Sequence, residues 1–277
     1  MPFDEMRKHS LLSKVAAFLL LSAASDGYAA GVEIIAHRGA SHDAPENTLA
    51  SVNLAWEQGS DAVEVDVMLS RDGRVVVFHD KDTKRLAGVE GKVVDQTWEA
   101  LARHDVGRWK DGRWTGERIP LLGPVLATIP AGRRMFVELK TGPEIVPLLE
   151  PIIAAAGKSP GQIVFISFNL DSCAAAKRTF PRHEVAFISR YREGREKIDT
   201  LIGQARSAGL EALDLDGSGA VGRAEGEAIR RAGLKFYVWT IDDPKRARQL
   251  VAAGVDGITT NRPEWLRERL REGDRTP

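Results

Sequence analysis

Four short motifs between residues 36 and 80 carry residue types suited to acid–base and metal chemistry. These motifs are His37-Arg38-Gly39, Pro45-Glu46-Asn47-Thr48, Glu64-Val65-Asp66 and His79-Asp80. Imidazole titrates near neutral pH, and carboxylates are the ligands that hard cations prefer. Because the motifs follow or end strand-like runs, they indicate a metal-assisted site for an anionic substrate.

The carboxylates of this set predict a binding site for a hard cation. Glu64 and Asp66 are two residues apart, so both project from one face of a strand and repel each other unless a cation lies between them. Glu138 supplies a third oxygen ligand by the same geometry, two residues before Lys140. Oxygen ligands without a cysteine cluster favour Mg²⁺ or Ca²⁺ over zinc. The alternative at Glu138 is a buried ion pair with Lys140 and no metal.

The two histidines of the motifs are the natural proton carriers. His37 and His79 each end an apolar run and each precede a charged residue, an arrangement typical of acid–base pairs. The remaining histidines in the folded part lie in polar stretches, which predicts that they are surface residues. They are His42, His104 and His183.

Two basic side chains are suited to binding a phosphate. Arg38 offers a planar guanidinium, and Gly39 after it allows close approach of the backbone. Lys140 is a second phosphate contact. In the motif that follows, Asn47 or Thr48 is expected to cap a helix running to residue 58, with Glu46 directed at the site.

The elements that must position these residues alternate along the chain. Apolar strand-like runs alternating with amphipathic helical stretches indicate a parallel sheet covered by helices, and in a domain near 250 residues a (β/α)8 barrel is favoured. Strands are predicted over residues 32–36, 74–78, 135–139, 163–167, 184–188, 212–215, 235–240 and 256–260, with another ending near Asp66. Helices are predicted over residues 48–58, 144–156, 171–179, 196–207, 223–232 and 244–253.

Two regions depart from a regular barrel. Only seven residues separate Asp66 from the strand over 74–78, which is too few for a crossover helix, so the step between the second and third strands must be irregular. Nine strand-like runs for eight positions mean that one assignment is wrong or one strand lies outside the ring. Residues 81–120 carry three tryptophans and many charges, which predicts an insertion that is either a substrate-selecting lid or a structural cover.

The ends and the composition restrict the class of protein. Residues 1–29 have a basic start, a short apolar run and small residues at the end, which predicts a cleaved signal peptide and an exported protein, periplasmic or secreted, with a mature domain over 30–277. The run is too short to span a bilayer, so stable membrane insertion is not expected. Lys and Arg total 39, as do Asp and Glu, so the chain lacks the basic excess typical of nucleic-acid binding. Cys173, the only cysteine, is expected to be buried and inert.

The motifs together resemble the glycerophosphodiester phosphodiesterases. The resemblance extends from about residue 34 to residue 263 and includes Ser167-Phe168, Trp239-Thr240 and the run over 254–258. It implies a TIM barrel with an insertion after the second histidine, and hydrolysis of a small glycerophosphodiester to an alcohol and sn-glycerol 3-phosphate.

The resemblance also assigns roles to individual residues. His37 and His79 would be general acid and base, and Arg38 and Lys140 would bind the phosphate. A divalent cation would be held by Glu64, Asp66 and Glu138, with Glu46 as a fourth candidate. Phe168 and Trp239 would line the glycerol side, and Asn261 would close the barrel rather than react.

Two other functions are compatible with these residues. One is a lysophospholipase D-like or phospholipase C-like enzyme, which should show an exposed apolar or basic patch for the membrane surface. The other is a non-catalytic exported protein that binds glycerophosphodiesters. A pure binder has no use for two positioned proton carriers, which argues against it. The sequence leaves the oligomeric state open.

Overall fold

Eight parallel strands close into a barrel in the computed structural model, which describes residues 31–191, 197–219 and 221–272. The predicted signal peptide lies outside these residues. The nine strands are β1 (Glu33–His37), β2 (Ala62–Leu69), β3 (Val75–Val77), β4 (Arg134–Leu139), β5 (Ile163–Ser167), β6 (Glu184–Ser189), β7 (Ala212–Asp216), β8 (Lys235–Trp239) and β9 (Gly257–Thr260). The ring runs β1-β2-β4-β5-β6-β7-β8-β9 and closes through the pairing of β1 with β9, which confirms the (β/α)8 TIM barrel.

Helices cover the outside of the ring and connect its strands. They are α1 (Leu49–Glu57), α2 (Lys84–Ala87), α3 (Trp98–Leu101), α4 (Leu122–Ala127), α5 (Val146–Ala156), α6 (Leu170–Thr179), α7 (Ile198–Ser207), α8 (Arg223–Arg231), α9 (Pro244–Ala252) and α10 (Pro263–Glu272). Of the two caps considered for α1, Thr48 is the one used, because its hydroxyl accepts from the Ser51 N–H. Asn47 is therefore free for another role.

The ninth strand explains the irregular step. β3 pairs antiparallel with β2, with Val67 opposite Val77, and lies outside the ring. An antiparallel pair needs only a tight turn, so the short link from β2 to β3 suffices. The ring then continues from β2 directly to β4, and the chain between them contains the long excursion over 81–120.

The excursion has a hydrophobic core of its own. Side chains of α2 and α3 pack with Phe78, Val93 and Ile119 against the outer face of β3, which accounts for the burial of Leu86 and Leu101. The 3-10 turns Val93–Asp95 and Gly112–Trp114 complete the segment. Trp98 covers this core, whereas Trp109 is 41% exposed.

The amino-terminal end of the barrel is closed by paired charges. Arg134 donates to Glu33 at 3.0 Å and to Glu184 at 2.9 Å, and the Tyr237 hydroxyl donates to Glu184 at 2.6 Å. Above them, the Phe136 ring packs edge-on against Tyr237 with centroids 5.1 Å apart. This end is a sealed structural plug, so an open site must lie at the other end.

Two sequence expectations outside the site have clear outcomes. Cys173 is buried, as expected. The prediction that His183 is a surface residue is wrong: it is only 8% exposed, because its ring packs against those of Phe165 and Phe180. Within the part of the chain that the structure describes, no helix is long and apolar enough to cross a bilayer.

Candidate active site

The strand register brings the predicted site residues together at the carboxyl-terminal mouth of the barrel. His37 at the end of β1 lies opposite Glu64 on β2, and Asp66 on β2 lies opposite Glu138 on β4. These side chains surround a cavity of about 250 Å³, whose lining includes His37, Glu64, His79, Glu138, Lys140 and Asp214. Residues from four ring strands and from the end of β3 thus share one space, as is usual for barrel enzymes.

Three carboxylates form a group that fits a hard cation. One oxygen each of Glu64, Asp66 and Glu138 lies within 4.8 Å of the others. The Oε1 atom of Glu64 is buried and has no hydrogen-bond partner among the described residues. A buried acceptor without a donor is costly unless a cation or water satisfies it. Oxygen donors alone suit Ca²⁺ or Mg²⁺.

The charges of this group cannot all be accommodated without a counter-ion. Burial, followed by the neighbouring charge of Asp66, raises the pKa of Glu138 to about 7. The same two causes raise the pKa of Glu64 well above its usual range. Burial alone would also raise the pKa of Asp66, but the charges of Arg38 and Lys140 outweigh it and lower the pKa to about 2. A bound cation would stabilise all three in the ionised form.

Two basic side chains flank the carboxylates. The Arg38 Nε lies 3.2 Å from Asp66, and Lys140 Nζ lies 2.8 Å from Glu138 and 3.5 Å from Asp66. The competing interpretation of Glu138 and Lys140 as an ion pair is therefore also seen, alongside the three-carboxylate group. Since Lys140 lines the cavity, its Nζ can contact a phosphate as well as Glu138.

Glu46 lies beside this group but bonds guanidinium groups. Its Oε1 accepts from Arg38 at 2.7 Å, and both its oxygens accept from Arg85 at 2.8 Å. It is absent from the three-carboxylate group in the described part of the chain. Its observed contacts orient Arg38, so the role of fourth metal ligand remains a prediction without geometric support.

The backbone adopts left-handed conformations on either side of these contacts. Arg38 has φ 55°, Gly39 has φ 80° and Asn47 has φ 59°. The Arg38 conformation lets its N–H donate to Glu64 at 2.9 Å, and the Asn47 side chain both donates to Asp66 and accepts from its N–H. Such conformations in non-glycine residues are uncommon and concentrate at functional sites.

His37 is held through an amide. Its Nδ1 lies 2.7 Å from Asn261 Oδ1, which also accepts from the Ser41 hydroxyl at 2.9 Å. The Asn261 Nδ2 donates to Asp242 at 2.7 Å, and a carboxylate only accepts, so the amide orientation is fixed. Consequently Nδ1 of His37 donates, and Nε2, 4.0 Å from Glu64, is left to face the cavity. Burial and the Arg38 charge lower the pKa of His37 to about 4.

His79 is held through a carboxylate. Its Nδ1 lies 2.7 Å from Asp80, whose oxygens also accept from Arg85 at 2.6 and 3.0 Å. Arg85 belongs to α2 of the excursion, and it bonds Glu46 at the same time. The excursion therefore fixes one wall of the site.

Aromatic side chains and an arginine form the opposite wall. The Phe168 and Trp239 rings meet edge to face with centroids 5.4 Å apart. The Arg190 guanidinium lies 5.6 Å from the Phe168 centroid and 5.7 Å from that of Trp239. A second, wider cavity of about 640 Å³, here called the outer basin, shares His79, Lys140 and Arg190 with the inner one.

The predicted residues converge, whereas their supporting partners were not foreseen. His37, His79, Arg38, Lys140, Glu64, Glu138, Phe168 and Trp239 line the inner cavity, and Asp66 lies behind them bonded to Arg38 and Asn47. Sequence reasoning gave no role at the site to Asp242, Arg85, Arg190 or Asp214, and it assigned Asn261 to barrel closure.

Their positions provide a usable signal for most of these missed residues. Arg190, Asp242 and Asn261 lie within three residues of the ends of β6, β8 and β9, and Asp214 is on β7. Burial, followed by the charge of Glu138, raises the pKa of Asp214 to about 8, so it presents a neutral carboxyl to the cavity near neutral pH. If the strand-end rule had been applied to the polar residues that follow every strand, it would have selected Arg190, Asp242 and Asn261.

Comparison with known proteins agrees with this geometry. The model of the glycerophosphoryl diester phosphodiesterase family matches residues 37–265. The chain is 34% identical over 238 residues to YhdW of Bacillus subtilis, with 84% of this chain and 96% of the relative covered. It is 32% identical over 246 residues to a glycerophosphodiester phosphodiesterase of Caldanaerobacter subterraneus, with 87% and 98% covered.

A solved structure extends the likeness to the fold. An Oleispira antarctica phosphodiesterase in complex with the product sn-glycerol-3-phosphate superposes with a TM-score of 0.80 at 28% identity, covering 88% of this chain and 98% of that one. The region matched by the family model, residues 37–265, contains both site histidines. The chain therefore belongs to the glycerophosphoryl diester phosphodiesterase family.

Proposed function

We propose that the protein hydrolyses glycerophosphodiesters to an alcohol and sn-glycerol 3-phosphate, with a divalent cation, Ca²⁺ or Mg²⁺. The observation that carries the proposal is the meeting of three carboxylates, two separately held histidines and two cationic side chains around one cavity. Binding alone would not require both histidines to be fixed by dedicated partners. The family membership and the product named for the Oleispira antarctica structure support the same reaction.

Two groups of residues would neutralise the negative charge of the phosphoryl group. Glu64, Asp66 and Glu138 would hold the cation, which when bound would neutralise charge on the phosphoryl oxygens. Arg38 and Lys140 would contact the remaining oxygens, and their ion pairs with Asp66 keep both side chains directed at the cavity. Phe168 and Trp239 would pack against the glycerol carbons.

The two histidines would move protons in opposite directions. His37 presents an unprotonated Nε2 in its neutral form, so it accepts a proton from the attacking hydroxyl, of water or of the substrate's glycerol. His79, whose Nδ1 bonds the Asp80 carboxylate, lines the wider outer basin. It is therefore the ring placed on the side where the alcohol would leave, and it donates a proton to the departing alkoxide.

Release of glycerol 3-phosphate from glycerophosphodiesters tests this proposal. The mature protein would be assayed with Ca²⁺, with Mg²⁺ and with chelator, beside His79→Ala. Release that requires the metal and is lost in the variant is expected. Tight binding without release would instead support the binding-protein function, and cleavage of lyso-lipids alone would support the phospholipase-like one.

We also infer that the chain is exported and that its mature domain spans 30–277. This inference depends on the sequence of residues 1–29, with its basic start, apolar run and small residues. Expression of the full chain in a bacterium, fractionation, and amino-terminal sequencing test it. A mature protein beginning near Ala30 outside the cytoplasm is expected, and an intact amino terminus in the cytoplasm would contradict it.

A further inference from the structure

We propose that the outer basin binds the alcohol part of the substrate and selects hydroxyl-rich head groups over quaternary ammonium ones, with Arg190 as the discriminating residue. The inference rests on the phosphodiesterase activity proposed above and adds a substrate class to it. It starts from the way in which the two cavities join.

The shape of the site separates the two halves of a diester. The inner cavity, about 250 Å³, holds the carboxylate group and the two aromatic rings. The outer basin, about 640 Å³, meets it at His79, Lys140 and Arg190. A phosphate bound between Arg38 and Lys140 would have glycerol on the inner side and the head group on the outer side, next to His79.

The chemistry of the outer basin suits hydroxyl groups. Its described lining contains five cationic side chains, two carboxylates, His79 and Met68, with no phenylalanine, tyrosine or tryptophan. Lys84, Arg85 and Lys140 are paired with carboxylates, so the excess of positive charge comes from Lys81 and Arg190. Lys81 and Asp82 are both exposed there and offer a donor and an acceptor side by side. A polyol can bond to both, whereas a trimethylammonium group donates no such bond and meets an excess of positive charge.

The aromatic rings of the site do not offset this disadvantage. Quaternary ammonium ligands are bound over aromatic faces, and the aromatic side chains lining the two cavities in the described part of the chain are Phe168 and Trp239. The Arg190 guanidinium already lies within 6 Å of both ring centroids, at 5.6 and 5.7 Å. Arg190 also lines the outer basin, so a choline group bound there would meet this cation at the junction of the two cavities instead of an aromatic face.

The test compares head groups in matched variants. We would measure kcat/KM for glycerophosphoglycerol, glycerophosphoinositol and glycerophosphocholine with wild type, Arg190→Ala and Arg190→Lys. Arg182→Ala is the control, since Arg182 is an exposed arginine before β6 whereas Arg190 directly follows the same strand. Binding of glycerophosphoglycerol and glycerophosphocholine would also be measured calorimetrically with chelator present.

The expected results concern ratios between substrates. The wild type should prefer the two polyol diesters to glycerophosphocholine by about tenfold, and Arg190→Ala should remove most of that preference because it removes the cation at the junction of the two cavities. Arg190→Lys and Arg182→Ala should retain it. Equal kcat/KM values for all head groups in the wild type, or a ratio unchanged in Arg190→Ala, would overturn the inference. Preferential binding of the polyol diester without any turnover would support it while contradicting the proposed activity.

Discussion

The two histidines of the site line one cavity, yet different parts of the chain hold them. His37 is fixed by an amide, Asn261, which is itself fixed by Asp242, so its support comes from the ends of ring strands. His79 is fixed by a carboxylate, Asp80, which is bonded to Arg85 of the excursion. One partner is a neutral amide and the other is a carboxylate, so the two rings have different electrostatic surroundings. Under the proposed mechanism, the supporting residues therefore distinguish the histidine that would accept a proton from the one that would donate it.

Removing either ring should produce the largest effect. His37→Ala and His79→Ala are each expected to lower kcat by roughly 10²- to 10⁴-fold, the usual contribution of a positioned acid or base. Release of glycerol 3-phosphate from glycerophosphoglycerol measures it. His104→Ala is the control, because His104 bonds Gln96 within the excursion. A loss of kcat in only one of the two variants would contradict a catalytic role for both histidines.

Changing the support of His37 without touching its ring should have the next largest effect. In Asp242→Asn, the new side-chain NH2 group would face the Asn261 Nδ2, and two donors cannot bond each other. The Asn261 amide would therefore rotate so that its Oδ1 accepts from residue 242 and its Nδ2 donates to His37 Nδ1. The imidazole would then carry its proton on Nε2, and kcat should fall roughly 10- to 100-fold, as is typical for outer partners of functional residues.

Nitrogen-15 NMR of the His37 ring measures directly which ring nitrogen carries the proton. A proton on Nδ1 in the wild type and on Nε2 in Asp242→Asn is expected. Asp243→Asn is the matched control, because Asp243 caps α9 and asparagine caps equally well. Loss of kcat with an unchanged tautomer would show that Asp242 has a merely structural role.

The acid limb of the pH profile should arise from the metal site rather than from His37. The pKa of His37 is lowered to about 4, so the base stays unprotonated well below neutral pH. The pKa of Glu138 is raised to about 7, so protonation there competes with the cation as the pH falls.

Metal titrations at several pH values measure this effect. The apparent affinity for Ca²⁺ or Mg²⁺ should fall by about tenfold for each pH unit below that pKa, as for any one-proton competition. Higher metal concentrations should accordingly move the acid limb of kcat/KM to lower pH. An acid limb that does not respond to metal would assign it to a histidine instead.

The smallest effect on kcat is expected from removing the contact through which the excursion supports His79. Arg85→Met removes the guanidinium that orients Asp80 and Glu46 but leaves the His79–Asp80 bond in place. A loss of about 1 kcal/mol, or roughly fivefold in kcat, is expected for this partly exposed pair. Arg118→Met, which changes an exposed arginine that donates to the Arg103 carbonyl, serves as control. An effect as large as that of His79→Ala would mean that Arg85 acts on the substrate itself.

The contrast between the histidines also separates what the sequence predicts from what it does not. The motifs and the alternation of strands predict the barrel, an irregular step after Asp66 and the meeting of His37, His79 and the three carboxylates, but they leave open whether the ninth strand-like run lies outside the ring. These follow from local periodicity and from the rule that strand ends share one face. The partners do not follow, because Asn261 is 224 positions from His37 and Arg85 is 39 from Glu46. No local pattern specifies which polar residues meet across the mouth.

The excursion shows the same limit on a larger scale. Its tryptophans and charges predict an insertion but leave open whether it is a lid or a cover. The structure shows a small core against β3 and, in addition to the Arg85–Glu46 pair, contacts from Lys110 to the Ser41 carbonyl and from Arg113 to that of Asp43, which reach the segment before α1. Covering and shaping the site are thus done by one segment, through residues whose partners are distant in sequence.

The dependence of each histidine variant on the leaving group tests the division of roles most directly. We would compare kcat/KM for glycerophosphoglycerol with that for the 4-nitrophenyl diester of glycerol 3-phosphate, whose leaving group departs without a proton. His79→Ala should regain most of its activity on the nitrophenyl diester, whereas His37→Ala should be impaired equally on both substrates. Rescue of His37→Ala instead, or rescue of neither variant, would contradict the assignment of His79 as the acid and His37 as the base.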